Sequence, residues 1–151
     1  MRSRYTWWHG GRERKSTPHG ADLGHQISAL SKRRHTLDGL QLTHTIVDKL
    51  EEHQATDIVM LDLREITPVA DYFIICTADS DRQARVLQEI IEEDLKKELQ
   101  VRPLSTEGEP ASGWVLLDYN YVVVHIFSKT GRAFYRLEEL WKAAPVVLKI
   151  Q

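Results

Sequence analysis

The chain has 151 residues, of which 42% are hydrophobic and 28% charged, and this composition is typical of a single globular domain. Its longest apolar run, residues 121–127, is far shorter than the roughly 18 residues that a membrane-spanning helix needs. A single cysteine, Cys76, excludes an internal disulfide framework and a cysteine-rich zinc site.

The charge divides the chain near residue 38. Residues 1–37 carry eight basic and two acidic side chains, a balance of +6, whereas residues 38–151 carry twelve basic and twenty acidic ones, a balance of −8. We therefore predict a basic N-terminal extension, residues 1–37, followed by an acidic domain, residues 38–151. An acidic domain is attracted to basic proteins and repelled by nucleic acid.

The extension shows no hydrophobic periodicity, and Trp7 and Trp8 stand isolated within it. Because little of it could bury enough apolar surface to offset its ordering entropy, we predict that it is disordered. A transit peptide, a wrongly assigned start site and a weak contact with nucleic acid stay open as alternatives. The predicted location is the cytoplasm, or an organelle if the extension is a transit peptide.

Organised structure is predicted from Asp38, which forms a helix-capping pattern with Gln41. An apolar stripe with helical spacing follows and ends near residue 53: Leu42, Ile46 and Leu50. Two short apolar runs, residues 58–63 and 72–77, are typical of buried strands. A capping box of Ser80 and Gln83 then opens a long helix with one buried face: Ala84, Leu87, Ile91 and Leu95.

Residues 101–104 are predicted to form a short edge strand, because Pro103 cannot donate to a strand ladder, and residues 106–112 a loop. Residues 114–119 and 121–127 are predicted to form a hairpin, since Asn120 between them tolerates a left-handed turn conformation. A last helix over residues 132–141 is expected before Pro145, with one buried side: Phe134, Leu137 and Trp141. This order of elements predicts an α/β fold with a mixed sheet and helices mainly on one face.

No catalytic motif accompanies these elements. The chain lacks a dinucleotide-binding glycine motif, a P-loop, a zinc-protease motif and a nucleophile elbow. Its seven histidines form no cluster with metal-ligand spacing, and His44 with Asp48 supplies only two ligands. We therefore predict no catalytic residue, no metal and no cofactor.

Two groups have competing interpretations. Cys76 lies in an apolar strand, so a buried structural residue is favoured over a catalytic thiol paired with His125. Asp79 and Asp81 could hold magnesium for nucleotidyl transfer, but their position at a helix start beside Ser80 favours capping.

The strand at residues 114–119 has two different faces. Trp114, Leu116 and Asp118 alternate on one face, and Val115, Leu117 and Tyr119 lie on the other. If helices cover only one face of the sheet, the large residues on the other face can contact a partner, because a tryptophan beside acidic residues is a common binding anchor. A core position for Trp114 is equally compatible with the pattern.

Five segments in this order resemble the Iojap-like ribosomal silencing factor family, with a match that runs from about residue 38 to residue 147. They are residues 71–77 (DYFIICT), Glu107 with Gly108, residues 113–119 (GWVLLDY), residues 122–127 (VVVHIF) and residues 134–141 (FYRLEELW). The resemblance implies a nucleotidyltransferase-like fold without working transferase chemistry.

The resemblance also implies a partner and a mechanism. The partner is the large ribosomal subunit, through its ribosomal protein fourteen. Because the bound factor occupies the place where the small subunit docks, it represses translation by steric exclusion, especially under nutrient limitation. Neither a membrane nor sequence-specific nucleic acid is expected as a partner, and a homodimer away from the ribosome stays open.

The partner-facing residues that the resemblance implies are Trp114, Leu116 and Asp118, with Asp71, Glu107 and His125 as weaker candidates. The chain departs from the family at Asn120-Tyr121, where a Gly-Asp or similar polar pair is usual, so Tyr121 could supply an aromatic contact in place of an acidic one. The alternatives are a nucleotide-binding or nucleotidyltransferase-like enzyme, a large-subunit assembly factor, and an interaction module whose basic extension touches RNA.

Overall fold

A computed structural model describes residues 39–151 of the chain. The predictions for residues 1–37, and the cap assigned to Asp38, lie outside the described residues. The first described element, α1, is helical at residues 39–52, as predicted. The predicted stripe of Leu42, Ile46 and Leu50 is buried, and so are Thr43 and Val47.

The remaining elements are two strands, a long helix, three strands, two short helices and a final strand. They are β1 (Thr56–Asp62), β2 (Tyr72–Ala78), α2 (Asp81–Leu99), β3 (Ser105–Glu109), β4 (Trp114–Asp118), β5 (Val122–Ser128), α3 (Lys129–Tyr135), α4 (Leu137–Leu140) and β6 (Val146–Ile150). A short 3-10 helix, Pro110–Ser112, joins β3 to β4.

The six strands form one sheet in the order β3-β4-β5-β2-β1-β6. β2 and β5 are parallel, and the other neighbouring pairs are antiparallel. The parallel pair occupies the centre of the sheet, and its side chains are buried almost throughout because both faces are covered there. The predicted mixed sheet is therefore confirmed.

The sheet separates two cores, because successive strand residues point to opposite faces. Alternate residues such as Met60 and Ile74 pack under α1 and α2. The opposite face, which bears Phe73, Trp114 and Phe127, is called the tryptophan face below. The tryptophan face packs against α4 and the segment that follows it, through Leu137, Trp141 and Ala144. The two long helices thus share one face, as the order of elements predicted.

The start of α2 confirms the capping box. The Ser80 hydroxyl oxygen accepts a hydrogen bond from the backbone N–H of Gln83 at 3.0 Å, and the Gln83 side-chain oxygen accepts one from the backbone N–H of Asp79 at 2.5 Å. The Gln83 side-chain nitrogen also donates to the carbonyl oxygens of His53 and Gln54. One glutamine therefore caps α2 and satisfies carbonyls at the end of α1.

The predicted edge strand at residues 101–104 is wrong. The backbone N–H of Val101 donates to the carbonyl of Leu95 and so closes the end of α2. The edge strand next to β4 is β3, which begins one residue before the predicted loop and overlaps its first half. All five β3 residues are exposed, so the segment lacks the apolar alternation by which a strand is predicted.

The single helix predicted over residues 132–141 is also wrong. Arg136 adopts a left-handed conformation, with φ of 47°, and separates α3 from the one turn of α4. Leu137 is buried, and Trp141 packs edge-on against Phe73 with ring centroids 5.5 Å apart. Phe134, which was expected on the buried side, is 76% exposed.

β6 was not predicted. It pairs antiparallel with β1, and the carbonyl of Pro145 accepts a hydrogen bond from the backbone N–H of Asp62 at 3.0 Å. The segment is rich in β-branched and apolar residues, which is typical of a strand, but the proline before it indicates only the end of a helix.

Candidate partner-binding surface

The two faces of β4 are occupied as the alternation predicts. Val115 and Leu117 are fully buried and belong to the core under α1 and α2. Trp114 and Leu116 lie on the tryptophan face, where both are partly buried. The candidate residues of β4 therefore share one face that the long helices do not cover.

Trp114 combines features of a core residue and of a surface residue. Its ring centroid lies 4.6 Å from that of Tyr135 in α3 and 5.1 Å from that of Phe127 in β5. Its indole Nε1 donates a hydrogen bond to Nδ1 of His125 at 3.1 Å. One side of the ring packs on the core of the tryptophan face, and the side chain remains partly exposed.

His125 lies beneath this surface, since only 2% of it is exposed. Burial lowers the pKa of His125 to about 3, so the imidazole is neutral near pH 7. Because Nδ1 accepts from Trp114, the ring proton resides on Nε2. Among the described residues, Nε2 has no hydrogen-bond partner. This position places His125 behind Trp114 and out of direct reach of a partner.

Asp118 ends β4 and shapes the hairpin turn. Its carboxylate accepts a hydrogen bond from the backbone N–H of Asn120 at 2.7 Å. Asn120 has a φ of 73°, the left-handed conformation that was predicted for it. Asp118 is still partly exposed, so it has a turn-forming role and can also face a partner.

Two further carboxylates border the tryptophan face on β3. The strand register places Glu107 opposite Leu116 and Glu109 opposite Trp114. Residues directly opposite each other in neighbouring strands share a face, and both glutamates are exposed. We call Glu107, Glu109 and Asp118 the acidic edge.

An exposed aromatic pair on α3 extends this surface. Phe134 is 76% and Tyr135 44% exposed, and their ring centroids lie 5.0 Å apart. Because Tyr135 also contacts Trp114, the three rings are continuous. The sequence prediction missed this pair, because Phe134 shares helical spacing with Leu137 and Trp141 and was therefore placed on the buried side. The candidate surface is therefore defined as Trp114, Leu116, Phe134 and Tyr135 together with the acidic edge.

Asp71 and Tyr121 lie elsewhere. The carbonyl of Tyr121 accepts hydrogen bonds from the backbone N–H groups of Asp71 and Tyr72, at 2.8 and 3.0 Å. Both residues sit where β2 and β5 begin, at the end of the sheet opposite Trp114. The Tyr121 side chain packs against the core under α1 and α2, so it supplies no aromatic contact beside Trp114.

The residues considered for catalysis do not form a site. Cys76 lies in the core under α1 and α2, whereas His125 is on the tryptophan face, so the sheet separates them. Burial raises the pKa of the Cys76 thiol to about 12, which is typical of a structural cysteine. Within residues 39–151, no group of three or more His, Cys, Asp or Glu side chains could hold a metal ion. The same part of the chain has no helix long and apolar enough to cross a membrane.

Comparisons with known proteins bear on this surface. A family model described as "Ribosomal silencing factor during starvation" matches residues 36–151. The chain is 41% identical over 97 residues to the ribosomal silencing factor RsfS of Bacillus subtilis (strain 168), which covers 64% of this chain and 80% of that protein. A crystal structure from Chromobacterium violaceum is 32% identical with a TM-score of 0.64, and the match covers 68% of this chain and 85% of the other.

A more distant relative comes from an organelle. The mouse protein named "Mitochondrial assembly of ribosomal large subunit protein 1" is 27% identical over 99 residues, which covers 64% of this chain and 43% of that protein. These relatives are named as silencing and assembly factors and not as enzymes. Together with the family match, they confirm the resemblance that the five sequence segments indicated.

Proposed function

Because this chain belongs to the RsfS family of ribosomal silencing factors, we propose that it binds ribosomal protein fourteen of the large subunit and thereby keeps the small subunit from joining. Membership of the family makes it a ribosome-associated regulator that represses translation. The proposed mechanism is steric exclusion, which requires occupancy of a surface and no catalysed reaction.

The observation that carries the proposal is the composition of the candidate surface. Protein interfaces are anchored by aromatic side chains in partly enclosed positions, surrounded by a polar rim. Trp114 is held in such a position, with the exposed rings of Phe134 and Tyr135 beside it. The acidic edge supplies the rim along one side.

The charge of the domain favours a basic protein as the partner. Residues 39–151 carry twelve basic and nineteen acidic side chains. Glu109 lies opposite Trp114, Glu107 lies opposite Leu116, and Asp118 ends the same strand, so this side of the surface repels phosphate groups and attracts lysine and arginine side chains. A ribosomal protein whose basic surface faces outward from the large subunit fits this chemistry.

Binding is tested by co-sedimentation with purified large subunits and by light scattering during subunit joining. We expect the wild-type chain to co-sediment and to slow joining. Phe134→Ala and Trp114→Ala should each weaken binding, the latter by about 2 kcal/mol or more, which is about thirtyfold in Kd. Because Phe134 is largely exposed, its variant separates loss of contact from loss of folding.

Val86→Ala is the matched control, since Val86 is an exposed apolar residue on the outer side of α2. It should bind as tightly as the wild type. A wild-type chain that ignores large subunits and lets them join small subunits at the normal rate would contradict the proposed function. Normal binding by both aromatic variants would instead remove the candidate surface from the interface.

A role in assembly of the large subunit is a second candidate, because the mouse relative is named for that process. Depletion of the protein in its host should then cause incomplete large subunits to accumulate in sucrose gradients. Silencing alone predicts a normal yield of large subunits and a loss of translational repression. The same surface can support both roles, because each requires only docking on the large subunit.

We also propose that the folded domain begins near residue 38, after the basic extension of residues 1–37. We propose a cytoplasmic location, with an organelle as the alternative if residues 1–37 are a cleaved transit peptide. Mass spectrometry of the native N-terminus distinguishes the two, since cleavage near residue 37 would remove the basic extension.

A further inference from the structure

A buried hydrogen bond links the candidate surface to the strand beneath it. Trp114 Nε1 donates to His125 Nδ1 at 3.1 Å, and these residues lie on neighbouring strands. Phe73 contacts the imidazole edge-on, with ring centroids 4.6 Å apart. Phe127 stacks nearly parallel to it at 6.2 Å. The imidazole is thus fixed by aromatic neighbours and by one polar contact.

The other ring nitrogen, Nε2, lowers the stability of the fold because it is a buried donor without an acceptor among the described residues. With Nδ1 used as the acceptor, the N–H at Nε2 is buried, and it has no partner in residues 39–151. An apolar side chain could fill the same space among Phe73 and Phe127 without an unpaired donor. What histidine adds here is the Nδ1 acceptor that faces the Trp114 indole.

We infer that His125 is a positioning residue: its Nδ1 atom fixes the orientation of the Trp114 indole, so that the exposed part of the ring is already set for the basic protein partner. This inference rests on the proposed function and assigns His125 a role within it. A ring that is fixed before binding loses less conformational freedom when the partner docks. His125 therefore affects partner affinity without touching the partner.

Two variants test the inference. His125→Leu removes the acceptor, whereas His125→Asn retains one, because Asn Oδ1 lies as many bonds from Cβ as Nδ1 of histidine does. We expect His125→Leu to raise the Kd for isolated ribosomal protein fourteen by about three- to tenfold, the effect of leaving one large side chain unfixed. His125→Asn should bind more tightly than His125→Leu.

Stability should follow the opposite order. The Asn variant buries an amide in an apolar site, so it should unfold at a lower temperature than the Leu variant. A merely structural role for His125 predicts that affinity follows stability, with the Leu variant ahead in both. That result would overturn the inference.

The indole orientation has its own readout in the free chain. The Nε1–H resonance of Trp114, assigned by its loss in Trp114→Phe, should exchange slowly with solvent in the wild type and in His125→Asn, and faster in His125→Leu. In the Trp114→Phe background, which lacks the donor, the Leu and Asn variants should bind equally. Unchanged indole exchange in His125→Leu would also overturn the inference.

Failure of the proposed function is distinguishable from failure of this inference. If the wild-type chain does not bind ribosomal protein fourteen, the proposed function falls and the inference falls with it. If the wild-type chain binds and the Leu and Asn variants bind equally in the presence of Trp114, the inference alone is wrong.

Discussion

At the scale of single residues, the surroundings of a side chain decide its chemistry. His125 would be half charged near pH 6.5 in water, but its burial among Phe73, Trp114 and Phe127 keeps it neutral. Asp118 likewise stabilises the turn between β4 and β5, because its carboxylate accepts a hydrogen bond from the backbone N–H of Asn120. Neither residue's role follows from its type alone.

The lowered pKa of His125 makes stability depend on pH. In the unfolded chain the imidazole takes up a proton below about pH 6.5, whereas in the folded protein its pKa is about 3. The contribution of the neutral His125 ring to the free energy of unfolding is therefore fully present above about pH 6.5 and is lost as the pH falls toward 3. From about pH 7.5 to about pH 5, this group should lower the free energy of unfolding by about 2 kcal/mol.

Urea unfolding at these pH values measures the change. His125→Leu lacks the titrating group, so the difference between wild type and variant isolates its contribution from that of other acids and histidines. Parallel pH profiles for the two proteins would contradict the prediction.

A close backbone approach makes Gly131 sensitive to substitution. A Cβ atom at residue 131 would lie 2.3 Å from the carbonyl oxygen of Gly113, which cannot move freely because it accepts the backbone N–H of Ser128 at 3.0 Å. Gly131→Ala should destabilise the fold by about 2 kcal/mol or more in urea unfolding. Gly39→Ala is the control, since its nearest neighbours lie 3.9–4.0 Å away, and it should be neutral or stabilise α1 by up to about 1 kcal/mol.

At the scale of elements, one arginine fastens α3 to the sheet. The Arg132 guanidinium donates to the carbonyl of Asp57, to the Thr77 hydroxyl at 2.9 Å and to the Glu138 carboxylate. These contacts tie α3 to β1, β2 and α4 at once. They hold α3 where Tyr135 meets Trp114, so the candidate surface depends on them.

Arg132→Lys should loosen this junction. Lysine keeps the charge but cannot reproduce the planar fork that reaches three acceptors, so we expect a loss of about 1–3 kcal/mol in stability. Arg136→Lys is the matched control, because the Arg136 side chain is 72% exposed and the ion pair that it forms with Glu139 is 3.7 Å long. Thermal unfolding should distinguish the two variants, and equal melting temperatures would contradict the assigned role of Arg132.

At the scale of the whole molecule, the asymmetry of the sheet creates the surface. α1 and α2 cover one face of the central strands, whereas α4 and the residues after it pack over the other face through Leu137, Trp141 and Ala144. The β3–β4 edge keeps Trp114 and Leu116 partly exposed beside carboxylates. A net negative domain with one such surface is suited to a basic partner.

Charge reversal on the acidic edge should slow association with the large subunit. Glu107→Lys combined with Glu109→Lys should reduce the association rate by about tenfold at low salt, and the difference should shrink above about 0.5 M salt because the charges are then screened. Glu89→Lys combined with Glu93→Lys makes the same change in net charge on the exposed side of α2 and is the control. Equal rates for the two double variants would show that net charge matters and the acidic edge does not.

The sequence by itself determined the elements with strong local signals. Apolar spacing located α1, β1, β2 and α2, the capping box located the start of α2, and Asn120 located the hairpin turn. The five family segments identified the family. These features depend on neighbours within a few residues, which is why one chain without its fold reveals them.

Only the tertiary structure decided the features that depend on distant residues. β3 is a strand because β4 pairs with it, although its own residues are polar and exposed. Phe134 is exposed because Arg136 ends α3 early, and His125 is buried because Trp114 and Phe73 enclose it. Strand pairing and burial are set by contacts between segments far apart in the chain, so no local pattern records them.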